Sequence, residues 1–271
     1  MRIGIVGGGT IARLVLEHVR AGSLDGIEVV AIAGRSVESK GKALASRHGV
    51  PFVVGRDALA AAQPAAVVEA ASHEAVREYG EAMLSRGISF VALSGGALCD
   101  DALRGRLERA AARNRALLYV PSGGIGGLDA LKAVCLAGAA EVSIAVTKPP
   151  AAWKGIPYVE ELGVDLDRLA GPRVLFDGSA RDGVPHFPAN VNIAAVLSMA
   201  GVGFDRTRLK VVADPALRFN THFIVIQGET GRVDLKFESV AMPENPKTSM
   251  LACFSALAAL RELGRGARYG T

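Results

Sequence analysis

The chain has little that would tie it to a membrane, a disulfide scaffold or a nucleic acid. Its three cysteines, Cys99, Cys135 and Cys253, are odd in number, far apart and without C-x-x-C spacing. That excludes a disulfide framework and reads as reduced, packed thiols in a cytoplasmic protein. No apolar run reaches the ~18 residues that a membrane span needs. The opening Met1-Arg2-Ile3-Gly4-Ile5-Val6-Gly7 enters a strand and then glycines, so no signal peptide is expected. Lys and Arg are dispersed and the formal charge is only +4, which leaves no basic tract for a nucleic acid but suits an anionic substrate and cofactor. No His, Cys, Asp or Glu grouping has metal-ligand spacing, so no metal is expected. Aromatics are scarce at 5%, and small aliphatic residues dominate; that mix fits buried parallel strands covered by small-residue helices.

What the sequence does contain is alternation. Over the first 120 residues, β-rich runs (Arg2–Val6, Glu28–Ala33, Pro51–Val54, Ala66–Ala71, Phe90–Leu93, Leu117–Val120) are separated by helical patterns such as Thr10–Ala21, Glu74–Arg86 and Asp101–Asn114. This order predicts right-handed βαβ crossovers and a parallel sheet. After Pro121 a glycine-rich run, Ser122–Gly127, acts as a hinge, and Leu128–Gly138 reads as a helix. Strands then dominate, at Glu141–Thr147, Arg173–Gly178, Leu209–Ala213, Thr221–Gln227 and Arg232–Val240, with one helix near Val191–Ala200. Gly228-Glu229-Thr230-Gly231 is a hairpin signal. The segment Asn245–Ser249 is expected to open a final helix, Met250–Leu263, that packs back on the first domain. The predicted architecture is α/β: a doubly wound parallel sheet over residues 1–121, completed by 246–271, and an α+β domain over 122–245 with a largely antiparallel sheet.

Gly7-Gly8-Gly9-Thr10-Ile11-Ala12 fits G-x-G-x-x-A between the first strand and the first helix. Gly7 permits the tight turn, Gly9 lets the backbone approach a pyrophosphate, and Thr10 and Ile11 open a helix whose N–H groups face it. Ahead of five more strand candidates, this reads as a Rossmann dinucleotide site rather than a mere β–α turn. The second strand ends in Gly34-Arg35-Ser36 with no acid for a ribose 2′-hydroxyl. Arg35 and Ser36, with Lys40, suit a 2′-phosphate, so NADP is favoured over NAD, or both are accepted; Glu38 nearby weakens a phosphate site.

Polar clusters lie beyond the hinge. Phe187-Pro188-Ala189-Asn190-Val191-Asn192 places two amides at a helix start, Asn220-Thr221-His222 precedes an apolar strand, and Asn245-Pro246-Lys247-Thr248-Ser249 offers a cation and two hydroxyls. Together with Ala71-Ser72-His73-Glu74, Pro121-Ser122-Gly123-Gly124-Ile125-Gly126-Gly127-Leu128-Asp129 and Lys148-Pro149-Pro150, these resemble the L-aspartate dehydrogenase family over nearly the whole chain. The resemblance implies NAD(P)-dependent interconversion of L-aspartate and iminoaspartate, which hydrolyses to oxaloacetate and ammonia or feeds NAD biosynthesis. It makes His222 the catalytic histidine and places cofactor contacts on Gly124 and Asn190. Many family members carry alanine where this chain has Gly124.

Independently of the resemblance, a neutral imidazole at His222 suits proton exchange with an amine or a hydrolytic water. The two substrate carboxylates need cations or N–H donors; Lys247, Thr248, Ser249 and Asn192 are the candidates, with Lys148 a further one. Ala71 and Ser72, after the fourth strand, are expected at the cofactor. A homodimer is expected through the second sheet, whose apolar faces carry Val211, Ile224, Ile226, Val233, Leu235 and Phe237. Two other readings use the same residues: a two-domain dehydrogenase of another small substrate, or an NADP-binding redox sensor without turnover.

Overall fold

The computed structural model describes residues 1–188, 190–243 and 245–265, the side chains of 245–247 excepted. The chain forms two compact units, Met1–Pro121 with the described residues from Cys253 onward, and Ser122–Ala252. Among the described residues no helix is long and apolar enough to cross a membrane.

The first unit is built on six parallel strands: β1 (Arg2–Val6), β2 (Glu28–Gly34), β3 (Phe52–Val54), β4 (Ala66–Glu69), β5 (Ser89–Ala92) and β6 (Leu118–Tyr119). Their order is β3-β2-β1-β4-β5-β6, and the hydrogen-bonded pairs run parallel. β1, β2, β4 and β5 are buried almost end to end, as strands covered on both faces must be. The helices are α1 (Thr10–Arg20), α2 (Gly41–His48), α3 (Arg56–Ala61), α4 (His73–Leu84) and α5 (Asp101–Arg113). Chain order reverses between β1 and β4, so the loops that follow those strands flank the switch point where open α/β sheets bind ligands.

In the second unit, α6 (Leu128–Ala137) leads into β7 (Ala139–Lys148), followed by α7 (Pro157–Glu161), β8 (Arg173–Ser179), α8 (Ala180–His186) and α9 (Asn192–Ala200). β9 (Arg208–Ala213), β10 (Asn220–Gly228), β11 (Gly231–Ser239), β12 (Ala241–Met242) and β13 (Asn245–Ser249) complete it before α10 (Met250–Leu263). The main sheet has the order β11-β10-β7-β9-β8; only β7 and β9 pair in parallel. Val142, Ile144, Val146, Leu209, Val211, Ile224 and Ile226 form its buried face. The far end of α10 belongs to the first unit, where Phe254 meets His18 of α1 edge to face at 5.6 Å.

The final helix starts at Met250 as the sequence predicts, but Asn245–Ser249 ahead of it runs as β13 against β12, so the second unit extends to Ala252 instead of ending at residue 245. Pro246 lacks a backbone donor and fits the first part of a two-strand ribbon, whose ladder needs fewer donors than a central strand. His186 ends α8 and stacks on Tyr158 at 4.1 Å.

The β1–α1 turn is fixed by contact as well as torsion. Gly7 has φ +108°, and a Cβ on Gly8 would stand 2.3 Å from the Gly41 backbone nitrogen at the start of α2. Gly8→Ala is therefore expected to push the turn away from α2 and to abolish tight dinucleotide binding, with a stability loss of about 1–3 kcal/mol. Titration of NADPH fluorescence and urea unfolding measure the two effects; wild-type affinity in the variant would refute the contact.

Candidate active site

The first unit contains a cavity of about 550 Å³ bordered by Gly7 and Gly8, by Arg35, Ser36, Glu38 and Lys40 after β2, and by Ala71, Ser72 and Tyr79 after β4. Its chemistry fits a dinucleotide. α1 has no side-chain N-cap and no acid in its first turn, so its N–H groups and positive dipole end are left for an anion. Gly9, the cap residue, would carry a Cβ into open space; packing does not require glycine there, whereas close approach of a phosphate does. The Tyr79 hydroxyl, buried beside the cavity, has no hydrogen-bond partner among the described residues, and burial raises its pKa to about 12. Thr10 and Ile11 form the first turn of α1. Arg35 and Ser36 are exposed at the cavity rim, but Glu38 shares it, its carboxyl pKa lowered mainly by a hydrogen bond from Ser36.

Glu69, at the end of β4, was not singled out from the sequence. It is fully buried, and its Oε1 accepts from the Ala71 and Ser72 N–H groups at 2.7 and 2.9 Å and from Ser94 Oγ at 3.0 Å. Oε2 accepts from the Ser94 N–H at 2.9 Å. Burial pushes its pKa upward while these donors pull it down. One carboxylate thus ties the Ala71–Ser72 turn to the loop after β5. Ser72 in turn caps α4, accepting from the Ala75 N–H at 3.3 Å.

The second unit brings a different group together. His222, in the middle strand β10, is 3% exposed. Its Nδ1 is buried with no hydrogen-bond partner among the described residues. A Cβ on Gly124 would stand 3.2 Å from Ser249 Oγ and 3.8 Å from His222 Nε2, so the absent side chain leaves a niche beside both. Ser249 is buried and caps α10, its Oγ accepting from the Ala252 N–H at 3.1 Å. Lys148, at the end of β7 and 4% exposed, donates to the Asn190 carbonyl at 3.0 Å and reaches the Asn190 side-chain oxygen at 3.5 Å. Its ammonium lies 5.3 Å from the Trp153 ring centroid. Trp153 and Phe187 form the aromatic floor at 5.6 Å, and the Asn190 N–H bonds to Phe187.

The electrostatics follow from burial. Desolvation lowers the Lys148 pKa to about 8. Desolvation first, and then repulsion from Lys148, lowers His222 to about 3, against a small opposing effect of the Thr221 backbone. The imidazole is therefore neutral at physiological pH, and its basicity is suppressed by burial and by the Lys148 charge.

Of the candidates in the second unit, the expected cofactor contacts Gly124 and Asn190, His222 and the substrate candidate Ser249 gather here. Asn192 opens α9 and Thr248 lies in β13, each already engaged in an interaction within the chain; the Lys247 side chain lies outside the described residues. Among the described residues no group of three or more His, Cys, Asp or Glu side chains could hold a metal.

Comparison with known proteins covers the whole chain. The family described as "Aspartate dehydrogenase, C-terminal" matches residues 129–263, and "Homoserine dehydrogenase, NAD binding domain" matches residues 7–121. The L-aspartate dehydrogenase of Methanosarcina acetivorans is 40% identical over the full length of both chains. L-aspartate dehydrogenase 2 of Bordetella pertussis is also 40% identical, over 96% of each. The crystal structure of the aspartate dehydrogenase of Thermotoga maritima, 30% identical, superposes with a TM-score of 0.75 over 100% of this chain and 99% of that one. A hyperthermophilic archaeal homoserine dehydrogenase, 15% identical with a TM-score of 0.58, shares the fold.

Glu69→Gln tests the carboxylate clamp. An amide can face Ala71 and Ser72 or Ser94 with its oxygen, but not both, so one buried N–H loses its acceptor at a cost of about 1–3 kcal/mol. Urea unfolding should show that loss, and dinucleotide affinity should fall with it; an unchanged unfolding midpoint would dismiss the clamp.

Proposed function

The chain belongs to the L-aspartate dehydrogenase family, and from that premise we propose that it is an NAD(P)-dependent oxidoreductase interconverting L-aspartate and iminoaspartate. The observation that carries the chemistry is the buried, neutral His222 beside the Gly124 niche. Gly7, Gly9, Thr10, Ile11, Arg35, Ser36, Ala71 and Ser72 hold the dinucleotide in the first unit, and Gly124 and Asn190 are its contacts in the second. When bound in oxidised form, the dinucleotide accepts the hydride that leaves Cα of aspartate. The amino group must shed a proton before its lone pair can form the C=N bond, and His222 takes it; once it has given that proton up, the same imidazole can activate the water that releases oxaloacetate and ammonia. Ser249 and Asn192, with Thr248 and Lys247 from the same polar segment, supply donors for the substrate. The product connects the enzyme to NAD biosynthesis in the cytoplasm.

Both cofactors are used, with NADP favoured. Arg35 and Lys40 attract a 2′-phosphate, while Glu38 provides the acceptor that a 2′-hydroxyl needs. With purified protein, L-aspartate but neither D-aspartate nor L-glutamate should reduce NADP+ and NAD+. His222→Ala should lower kcat by about 10²–10⁴-fold, and Arg35→Ala should move the cofactor ratio toward NAD. Binding of dinucleotide without turnover of aspartate would leave the redox-sensor or other-substrate readings in its place.

The chain also acts as a homodimer through its second sheet, but not through the apolar residues named from sequence. Val211, Ile224 and Ile226 are buried on the helix-covered face, and Leu235 and Phe237 turn toward Gly127 and Gly126. The opposite face presents Phe223, 42% exposed, in register with Ala145 on β7 and Lys236 on β11. Ion pairs Arg232–Asp234 and Lys236–Glu238 lie on the outer strand β11, and Arg208–Asp177 joins β9 to the outer strand β8. An apolar centre with a charged rim is the anatomy of an isologous interface. Light scattering should give twice the 28.1 kDa chain mass, and Phe223→Lys should shift it toward the monomer; a monomeric wild type sinks this proposal.

A further inference from the structure

Lys148 presents an unresolved balance of charge. Its ammonium has three protons to donate, yet its hydrogen-bond acceptors are the carbonyl and the side-chain oxygen of one residue, Asn190, the latter at 3.5 Å. No carboxylate among the described residues lies within ion-pair distance of it, whereas the ion pairs elsewhere in the chain join half-exposed side chains. A buried cation is ordinarily paired. Here it is held instead over the Trp153 ring and beside His222, in a chain that acts on a dianionic amino acid.

We propose that Lys148 is the anchor for one carboxylate of the substrate, and that this anion, by neutralising the ammonium, readies His222 to take the proton of the substrate's amino group. The inference rests on the aspartate reading and adds to it a residue and a coupling. Without substrate, the ammonium and the imidazole oppose each other's charge, and His222 stays neutral, with a proton on only one ring nitrogen. With a carboxylate on Lys148, the repulsion that disfavours the imidazolium is cancelled, so proton acceptance at His222 becomes easier once an anion of the right length is in place. A monocarboxylic amine that fails to reach Lys148 would leave the base weak. His222 is the titratable side chain that the neighbouring strand sets against Lys148; Asn190 and Trp153, from the other packed segments, do not titrate.

Succinate, an unreactive dicarboxylate, separates binding from turnover. Its affinity for wild-type protein saturated with NADP+ is measured by calorimetry from pH 7 to 10, where both its carboxylates stay ionised. Affinity should hold below about pH 8, the pKa of the Lys148 ammonium, and fall about tenfold per pH unit above it, as the cation is lost. Lys148→Met, apolar and of similar length, should weaken succinate by about 30-fold or more, flatten the pH profile and raise the KM for L-aspartate. Its dinucleotide Kd should stay within about threefold, and its unfolding midpoint should not fall, because the substitution removes an unpaired buried charge. Lys148→Arg should retain part of the succinate affinity. Undiminished succinate binding by Lys148→Met, a wild-type profile without the fall above pH 8, or a loss confined to the dinucleotide would each overturn the proposal, the last by making Lys148 a support for Asn190 alone. Wild-type protein that binds succinate with this profile but leaves L-aspartate unoxidised would instead refute the aspartate reading and keep the anchor.

Discussion

Each unit of this chain buries a charge without an opposite charge beside it, and much of the local architecture answers to that constraint. Removing an ion from water is costly unless the protein replaces its solvation. Glu69 is resolvated by three N–H groups and a hydroxyl from two loops, which offset part of the cost of burial. The turn after β4 and the loop after β5 take their shapes from that requirement. Lys148 is resolvated in part, by one carbonyl and a distant amide oxygen. The difference separates structure from function. A satisfied buried charge organises backbone, whereas an under-satisfied one retains free energy of interaction for a ligand to realise.

The frame of the first unit was legible because a two-sided parallel sheet writes itself as apolar runs of strand length, and because the glycine turn sits directly after the first of them. β1, β2, β4 and β5 lie within a residue or two of their sequence boundaries. The polar clusters of the second unit were legible as a set through the family resemblance. Spacing alone could not have brought Gly124, Asn190, Ser249 and His222 to one place, since that depends on how β10 pairs with β7 and β13 with β12.

Other features were hidden for physical reasons. Glu69 ends an apolar strand, where an acid ordinarily marks the return to solvent; its burial depends on three N–H groups whose positions only the folded loops define. Pro185 sits inside α8, against the usual rule, in a helix too short for proline to break much of a ladder. The sheet's outer face was misassigned because the alternation in β10 and β11 gives the period but not which side the helices cover; a shift by one residue exchanges the faces. Lys148 was legible as a candidate for a substrate carboxylate, but its burial was not, since a strand-end lysine usually reaches water.

The pair formed by Lys148 and His222 also explains why the site breaks the ordinary rules of a stable core. Two basic groups under 5% exposed raise the energy of each other's charged form, and the Nδ1 of the histidine lacks a proper acceptor or donor. An apolar pair of similar size would hold the fold better. Local inconsistency of this kind, in a chain whose strands and caps otherwise agree with the fold, marks a place where sequence has been set by chemistry rather than stability. The same inconsistency makes selectivity possible. A ligand with one carboxylate in reach satisfies the lysine and, through it, changes what the histidine can do. A ligand without that carboxylate finds the charge still unpaired, so the rejection comes from the protein's own unmet solvation rather than from a clash.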